Sequence, residues 1–263
     1  SIVALSLALA KRWPSKTVRV VTDGPLPRRY KVLVPPTVQF LDAKDVAVEL
    51  VDLAIVLDGD CDRLGAAQPH YEAARARGII DHHASSVGSR VDAELHDPKA
   101  ASATELVMRL CDEWAITVDR AIATPIYGGM IFDTSVFRYG LTQPSTLRLA
   151  ARLMEVGIDH VRIVEKVLME QPAAKQRLKG EMIRSMRIDA HGRLAWSTLR
   201  RETVNGVETG GLVDDLVFIE GVEMAMLFVE KAEGVLKLSL RSRGGVNVAA
   251  FAQSLNPLGG GHI

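Results

Sequence analysis

The stretch GIIDHHASS, residues 78–86, decides the fold, because an apolar run ends in an acid that two adjacent histidines follow at once. The earlier stretch VDLAIVLD, residues 51–58, has the same form and also ends in an acid. Continuous apolar runs of this length are typical of strands in a buried parallel sheet. Residues 69–78 are predicted to form a helix that stops at Gly78. The sequence therefore predicts a strand–helix–strand unit of the parallel-sheet type.

Both predicted strands end in polar side chains that suit a metal ion. Asp58 ends the first strand, and Asp81, His82 and His83 come at the end of the second. Sites in open parallel sheets form outside the carboxyl ends of the strands, so these side chains are expected to share one crevice. Carboxylate and imidazole groups suit a divalent ion such as Mn²⁺, and without thiolates a structural zinc site is less favoured. A helix cap or a turn remains the alternative for Asp58 alone.

Further candidates lie later in the chain. Asp133 ends an apolar helix predicted over 118–134; alone it is an ordinary helix-end residue, but a two-metal centre needs such a carboxylate. Arg241 precedes the run Gly259–Gly261, which His262 follows. Glycines let backbone amides approach a phosphate closely, although a glycine run near a chain end is also typical of a flexible tail.

Composition limits the function classes. The chain has 263 residues and a formal net charge of +0, which argues against sequence-blind binding to long nucleic acid. Its two cysteines, Cys61 and Cys111, form no CxxC pair, so we expect reduced thiols in a cytoplasmic protein. The apolar start at residues 1–13 is too short to span a bilayer, and no membrane association is expected.

The remaining patterns predict the order of elements. Helices are predicted over 2–12, 102–114, 118–134 and much of 144–186, and strands over 17–22, 223–231 and 235–243. Ser102 and Glu105 should form a capping box. Pro125 and the pair Gly128-Gly129 should bend or loosen their helix. A hairpin is expected at His191-Gly192.

Taken together, four motifs resemble the DHH phosphoesterase superfamily. Asp81-His82-His83 is similar to its namesake motif, and VLDGDCDRLG (56–65) and GGMIFDTSVFRYGLT (128–142) resemble two others. The stretch 238–262 resembles the DHH-associated C-terminal domain, which Gly-Gly-Gly-His marks. The likeness covers nearly the whole chain and is greatest to the branch of nano-RNases and 3′-phosphoadenosine-5′-phosphate (pAp) phosphatases.

The resemblance implies an α/β fold in which a helical linker, 158–187, joins a parallel-sheet catalytic domain, 1–157, to a smaller α/β substrate-binding domain, 188–263. It implies metal-assisted phosphoester hydrolysis with two divalent ions, Mn²⁺ or alternatively Mg²⁺. The implied metal ligands are Asp58, His82 and Asp133, the implied catalytic residues are Asp81 and His83, and the implied substrate-binding residues are Arg241, Ser242, Gly259, Gly260, Gly261 and His262. Asp81 would support the site, and His83 would face the scissile phosphate.

The expected substrates are short oligonucleotides, hydrolysed to mononucleotides, and pAp, hydrolysed to AMP. Long duplex nucleic acid is not an expected partner, and a homodimer is compatible with the resemblance. Cyclic dinucleotides, single strands cut as by RecJ-like exonucleases, and a catalytically dead nucleotide-binding relative remain alternatives. Retention of all five acids and histidines favours an enzyme over the dead relative.

One family motif is missing from the sequence. Family members begin with a strand and a motif like His-x-x-Pro-Asp-Gly-Asp-Ala-x-Gly-Ser, and this chain starts at Ser1, about where that motif ends. It stops at Ile263, where the family usually continues. We therefore expect a fragment of a longer protein. Because the missing motif supplies metal ligands, we also expect the chain as written to be inactive or nearly so.

Overall fold

A computed structural model of the chain describes residues 1–62, 64–83, 91–243 and 245–255. By its contacts the chain divides into two compact units, Ser1–Glu170 and Gln171–Ile263. Within the described residues, no helix has both the length and the apolar character that crossing a membrane requires.

The first unit is an α/β unit with parallel strands. Its helices are α1 (Ile2–Arg12), α2 (Gln68–Glu72), α3 (Ala103–Glu113), α4 (Arg120–Asp133), α5 (Pro144–Glu155) and α6 (His160–Val164). Its strands are β1 (Val20–Thr22), β2 (Phe40–Asp42), β3 (Leu53–Leu57), β4 (Ala76–Asp81) and β5 (Ala93–His96). Short 3₁₀ segments cover Arg28–Leu33 and Gly65–Ala67, and a π-helical turn covers Glu165–Met169.

The parallel sheet predicted from the two apolar runs is confirmed. Strands β3, β4 and β5 lie side by side in that order and are all parallel, and β1 and β2 form a separate parallel pair. Leu57 pairs with Ile80, and Asp81 pairs with His96. The carboxyl ends of β3 and β4 therefore meet at one edge of the sheet.

The helix predicted over 69–78 is wrong in length. Helix α2 ends at Glu72, and strand β4 begins at Ala76. The amides of Arg75 and Ala76 donate to the carbonyls of Val51 and Asp52 at distances of 3.0 and 3.2 Å. Pairing with the neighbouring strand therefore overrides the helical preference of an alanine-rich and arginine-rich stretch.

Helix α3 was placed correctly, but its cap differs from the predicted capping box. The Ser102 hydroxyl accepts from the amide of Thr104 at 3.2 Å, two residues on rather than three. The carboxylate of Glu105 accepts from the amide of Ala101 at 3.3 Å rather than from that of Ser102. Both residues satisfy backbone donors at the helix start, but not as a reciprocal pair.

The glycines in α4 serve close packing. Helix α4 is continuous from Arg120 to Asp133 through Pro125. A Cβ atom at Gly128 would lie 2.4 Å from Leu33 Cδ2, and one at Gly129 would lie 2.3 Å from Thr104 Cγ2. Their small size therefore lets α4 approach the 3₁₀ segment and α3. Its buried residues pack with those of α1 and α3 in the core of this unit.

The second unit is built on a mixed four-stranded sheet. Its strands are β6 (Arg187–Ile188), β7 (Leu194–Leu199), β8 (Met224–Ala232) and β9 (Val235–Ser242), in that order; its helices are α7 (Ala173–Ser185), α8 (Arg201–Val204), α9 (Asp214–Val217) and α10 (Val248–Leu255). Strands β7 and β8 are parallel, and the other two pairs are antiparallel. The predicted hairpin at His191-Gly192 is present, with Gly192 at φ 72°. The predicted pair of strands before and after Gly234 is also present.

Candidate metal centre

Asp58 lies at the carboxyl end of β3, where the backbone leaves the sheet. Its amide still donates to the carbonyl of Ile80 at 2.9 Å. Its φ is 59°, a left-handed conformation that is uncommon for residues other than glycine. A local strain of this kind persists only where surrounding structure holds it, and it is common at functional sites.

His82 is oriented by its own backbone surroundings. It is buried, and its Nδ1 lies 3.1 Å from the carbonyl oxygen of Ala100. Because a carbonyl only accepts, Nδ1 carries the proton of this hydrogen bond. The other ring nitrogen, Nε2, lies 3.4 Å from Asp58 Oδ1 and 3.8 Å from Asp133 Oδ2. The nitrogen that could bind a metal therefore lies beside two carboxylates.

Asp81 holds the loop that carries the histidines. It is fully buried, and its Oδ1 accepts from the amide of His82 at 2.8 Å and from His83 Nδ1 at 2.6 Å. The carbonyl of His83 also accepts from His96 Nε2 at 2.7 Å. These contacts fix the orientation of the His83 ring, whose centroid is 4.8 Å from that of His82.

Asp133 reaches the same place from a different element, the end of α4. Its Oδ2 is buried and has no hydrogen-bond partner among the residues that the structure describes. A buried carboxylate oxygen without a donor is costly unless a cation neutralises it.

The chain turns sharply after Asp133. Ser135, Val136 and Phe137 have φ values of 48°, 58° and 62°, and such a run is unusual without glycine. Thr134 holds this turn, because its hydroxyl donates to the carbonyl of Met130 at 2.6 Å and accepts from the amide of Phe137 at 2.9 Å. Arg138 closes the turn through contacts with the carbonyl and hydroxyl of Ser135 at 2.8 and 2.5 Å. The position of Asp133 is therefore set by a specific, strained loop.

The charges of the cluster are strongly coupled. Burial raises the pKa of Asp58, but hydrogen bonding to His82 and nearby positive charge outweigh it, so the net pKa lies below the usual value. Burial lowers the pKa of His82, but Asp58 and Asp133 outweigh it and raise this pKa to about 9. Burial and the charge of Asp58 raise the pKa of Asp133 to about 6. Hydrogen bonding to Asp81 raises the pKa of His83. The cluster therefore favours positive charge at His82 Nε2.

These side chains fit a divalent cation. Ligand atoms of Asp58, His82 and His83 all lie within 4.8 Å of one another, and Asp133 Oδ2 adds a fourth donor beside His82. Carboxylate oxygens and imidazole nitrogens are common ligands of divalent metal ions in proteins. The buried, unsatisfied oxygen of Asp133 is the observation that a cation explains best.

Sequence reasoning missed several contacts between the segment Arg28–Leu33 and α4. Tyr30 packs edge-on against Phe132 at 5.7 Å between ring centroids. Arg29 lies over both rings, at 5.0 and 5.6 Å. No periodic pattern marks these residues; only the stretch RRYK, 28–31, signals a basic and aromatic segment.

The candidates of the second unit are arranged differently. Arg241 Nε donates to Asp214 Oδ1 at 2.7 Å, and Arg241 Nη1 donates to the carbonyl of Leu240 at 3.0 Å. The Ser242 hydroxyl donates to the carbonyl of Val246 at 2.7 Å. The predicted candidates Gly259, Gly260, Gly261 and His262 lie outside the described residues.

Comparisons with known proteins place these features in context. The DHHA1 domain family matches residues 191–263. The bifunctional oligoribonuclease and PAP phosphatase NrnA of Thermus thermophilus is 31% identical over 70% of this chain and 55% of that protein. The cyclic-di-AMP phosphodiesterase GdpP of Geobacillus thermodenitrificans is 29% identical over 70% of this chain and 28% of that protein.

The fold is also that of a solved structure. An exopolyphosphatase-related protein from Bacteroides fragilis superposes with a TM-score of 0.83 and 24% identity, over 99% of this chain and 80% of that one. This likeness confirms the predicted α/β architecture. The match with the Thermus relative spans 55% of its length, little more than half.

Proposed function

This chain belongs to the DHH phosphoesterase superfamily, and from this premise we propose that its protein hydrolyses phosphoester bonds in short oligonucleotides and in pAp. The observation that carries the proposal is the buried cluster of Asp58, His82 and Asp133. Its donors come from the ends of β3, β4 and α4, and its one orphaned oxygen is a carboxylate oxygen. The groups of a structural ion pair satisfy each other, whereas Asp133 Oδ2 in this cluster has no hydrogen-bond partner in the described part of the chain.

We assign the metal to Asp58, His82 and Asp133, with two Mn²⁺ ions in the complete protein. A divalent ion held by these residues would lower the pKa of a bound water molecule and would stabilise charge that develops on a phosphoryl group. Asp58 and Asp133 supply carboxylate oxygens, and His82 supplies Nε2 because Ala100 engages its Nδ1. Loading the site requires the proton at Nε2 to leave.

Asp81 and His83 act on the protein side of this site. Asp81 positions both histidines through one carboxylate oxygen. His83 is half-buried and its Nδ1 donates to Asp81. Asp81 raises the pKa of His83, and the protonated ring would also donate from Nε2 to a phosphate oxygen of the substrate. We therefore propose that Asp81 is a positioning residue and that His83 faces the scissile phosphate.

The second unit would bind the nucleotide. Asp214 holds the Arg241 guanidinium by its Nε, which orients the planar group for a phosphate. Ser242 fixes the turn after β9 through Val246. The segment Gly259–Gly261 with His262 would add backbone amides and an imidazole, as the family resemblance implies.

A cyclic dinucleotide is the second candidate substrate, because the similarity extends to a protein named as a cyclic-di-AMP phosphodiesterase. A cyclic dinucleotide contains the same phosphodiester bond as a linear one, so the cluster alone does not distinguish the two substrates. Hydrolysis assays with a dinucleotide, pAp and cyclic di-AMP in the presence of Mn²⁺ would distinguish them.

The test uses both the chain of residues 1–263 and the protein encoded by the complete gene. The proposal is supported if the unchanged protein releases product from the dinucleotide and from pAp. This activity should be lost in His82→Ala and kept in His191→Ala. His191 is an exposed histidine on a hairpin turn and serves as the matched control. Release from cyclic di-AMP alone favours the second candidate. A complete protein that hydrolyses none of the three, or whose His82→Ala variant keeps full activity, contradicts the proposed function.

A further inference from the structure

A second concave site lies in the first unit, away from the acidic and histidine cluster. It is a cavity of about 360 Å³ between the 3₁₀ segment Arg28–Leu33, the first turns of α4 and the start of α6. Cavities of this size are within the range that holds small ligands. Val32 and Ile163 form its apolar wall, and its polar lining is dominated by cations.

Three residues with exposed cationic side chains line this cavity, one from each bordering element: Lys31, Arg120 and Arg162. None of them forms an ion pair with any residue in the described ranges, although many other surface cations of the chain do. The nearest acid in sequence to Arg120 is Asp119, whose carboxylate instead binds Lys11 at 2.6 Å and the amide of Ile122 at 3.1 Å.

The other polar groups of the lining are already engaged. Asp159 is the one carboxylate among the lining residues, and its Oδ1 accepts from the backbone amide of Arg162 at 3.0 Å as the cap of α6. The Thr124 hydroxyl donates to the carbonyl of Arg120 at 2.8 Å. With three cations and one acid, the lining has a formal charge of +2 in a chain whose net charge is +0.

We propose that this cavity is a phosphate-binding site, separate from the candidate metal centre. Like charges that converge around a concave surface repel one another unless an anion lies between them. Two guanidinium groups and one ammonium group suit the several oxygens of a phosphate or pyrophosphate group. The apolar wall of Val32 and Ile163 leaves room for a non-polar part of the ligand.

The position of the cavity separates it from the metal centre. Arg120 is the first residue of α4 and Asp133 is the last, so the two are about 20 Å apart along the helix axis. The bound phosphate therefore belongs either to the far end of an oligonucleotide strand or to a separate small phosphate compound. Only the first of these sources rests on the proposed function.

The test is a calorimetric titration of residues 1–263 with inorganic pyrophosphate in EDTA, so that no metal ion can hold the anion elsewhere. We expect saturable binding with a Kd below about 1 mM. The variant Arg120→Glu/Arg162→Glu should bind at least about tenfold more weakly. Lys31→Gln, on a different element, should weaken binding in the same direction by a smaller factor.

The matched control is Arg148→Glu, which reverses an exposed arginine on α5 that forms no ion pair in the described part of the chain. It should bind pyrophosphate within about twofold of the unchanged chain, since distant surface charges are screened. Circular dichroism of every variant checks the fold. No saturable binding up to about 10 mM, or a double variant that binds as tightly as Arg148→Glu, overturns the proposal.

Two further titrations in EDTA identify the source of the phosphate. If the double variant weakens binding of a hexanucleotide but not of a dinucleotide, the cavity holds a backbone phosphate of a substrate strand. If it weakens pyrophosphate binding and leaves both oligonucleotides unchanged, the ligand is a separate small phosphate compound. Neither titration requires turnover, so failure of the proposed hydrolysis would not be mistaken for failure of this site.

Discussion

Two sheets, β3–β4–β5 in the first unit and β6–β7–β8–β9 in the second, carry their candidate functional side chains in different ways; they are called the first and the second sheet below. At the edge of the β3–β4–β5 sheet, Asp81 and His82 are buried and are held by backbone groups or by each other. On β9, Arg241 has a side chain that is 46% exposed, and its main partner is one aspartate. The first arrangement suits chemistry that needs fixed geometry and exclusion of water; the second suits binding of a charged ligand that comes and goes.

The largest effect should follow removal of the buried imidazole. His82→Ala takes away a metal donor that lies beside both Asp58 and Asp133. We expect Mn²⁺ affinity, measured by calorimetry, to fall more than about 100-fold, since even loss of an indirect partner costs 10–100-fold. An unchanged Mn²⁺ affinity would show that His82 is not a metal ligand, and the first sheet would then have no metal centre to set it apart from the second. His191→Ala is the control and should bind Mn²⁺ as the unchanged chain does.

The pH dependence of metal binding should be steep at the first sheet. In the metal-free protein the pKa of His82 is about 9, so below that pH a proton must leave before Nε2 can bind a metal. Affinity for Mn²⁺ should therefore rise about tenfold per pH unit between about pH 6.5 and 8.5. Below about pH 6, the slope should steepen because Asp133 also takes up a proton.

Calorimetry in buffers of different ionisation enthalpy measures this release directly. About one proton should leave per bound Mn²⁺ at pH 7.5. An affinity that is flat with pH over this range would show that the metal does not bind at His82.

Two helical glycines, one in each unit, differ in the space around them. Replacing each with alanine tests this difference in packing. Gly129→Ala would place Cβ 2.3 Å from Thr104 Cγ2, so we expect the free energy of unfolding to fall by about 1–3 kcal/mol. Gly180→Ala in α7 meets no atom within 4 Å and should raise it by about 0.5–1 kcal/mol. Urea denaturation measures both. Equal effects at the two positions would contradict the close packing of α4 on α3.

The smallest effect should come from the exposed cation of the second sheet. Arg241→Ala removes one charge-assisted contact to a substrate phosphate, so KM should rise about tenfold while kcat changes less than about twofold. Stability should change little, because the pair with Asp214 is partly exposed. Steady-state kinetics of the complete protein on a dinucleotide separate the two constants. A fall in kcat with an unchanged KM would place Arg241 in the chemical step.

Much of the first sheet could be predicted from the sequence, because its apolar runs and the acids that end them are visible there. Apolar runs that end in Asp58 and Asp81 predicted two parallel strands whose polar ends meet, and the structure pairs Leu57 with Ile80. The conformation of Asp58 could not be predicted, since a positive φ at an aspartate follows from its surroundings and not from its type.

Other features depend on contacts between distant residues. The helix over 69–78 was predicted too long because strand pairing at Arg75 and Ala76 outweighs local propensity. Tyr30 packs against Phe132, and Arg120 and Arg162 line one cavity, although each pair joins segments far apart in the chain. Such contacts leave no periodic signal in either segment.

The most direct test of the metal centre is an NMR titration of residues 1–263 with Mn²⁺, observed at the imidazole resonances. We expect His82 and His83 to broaden first and in a saturable way, because a paramagnetic ion would lie beside their rings. His191 should keep its line width until Mn²⁺ is in large excess. Equal broadening of all three, or broadening of His191 with sharp His82 and His83 signals, would contradict a metal centre at the end of β3 and β4.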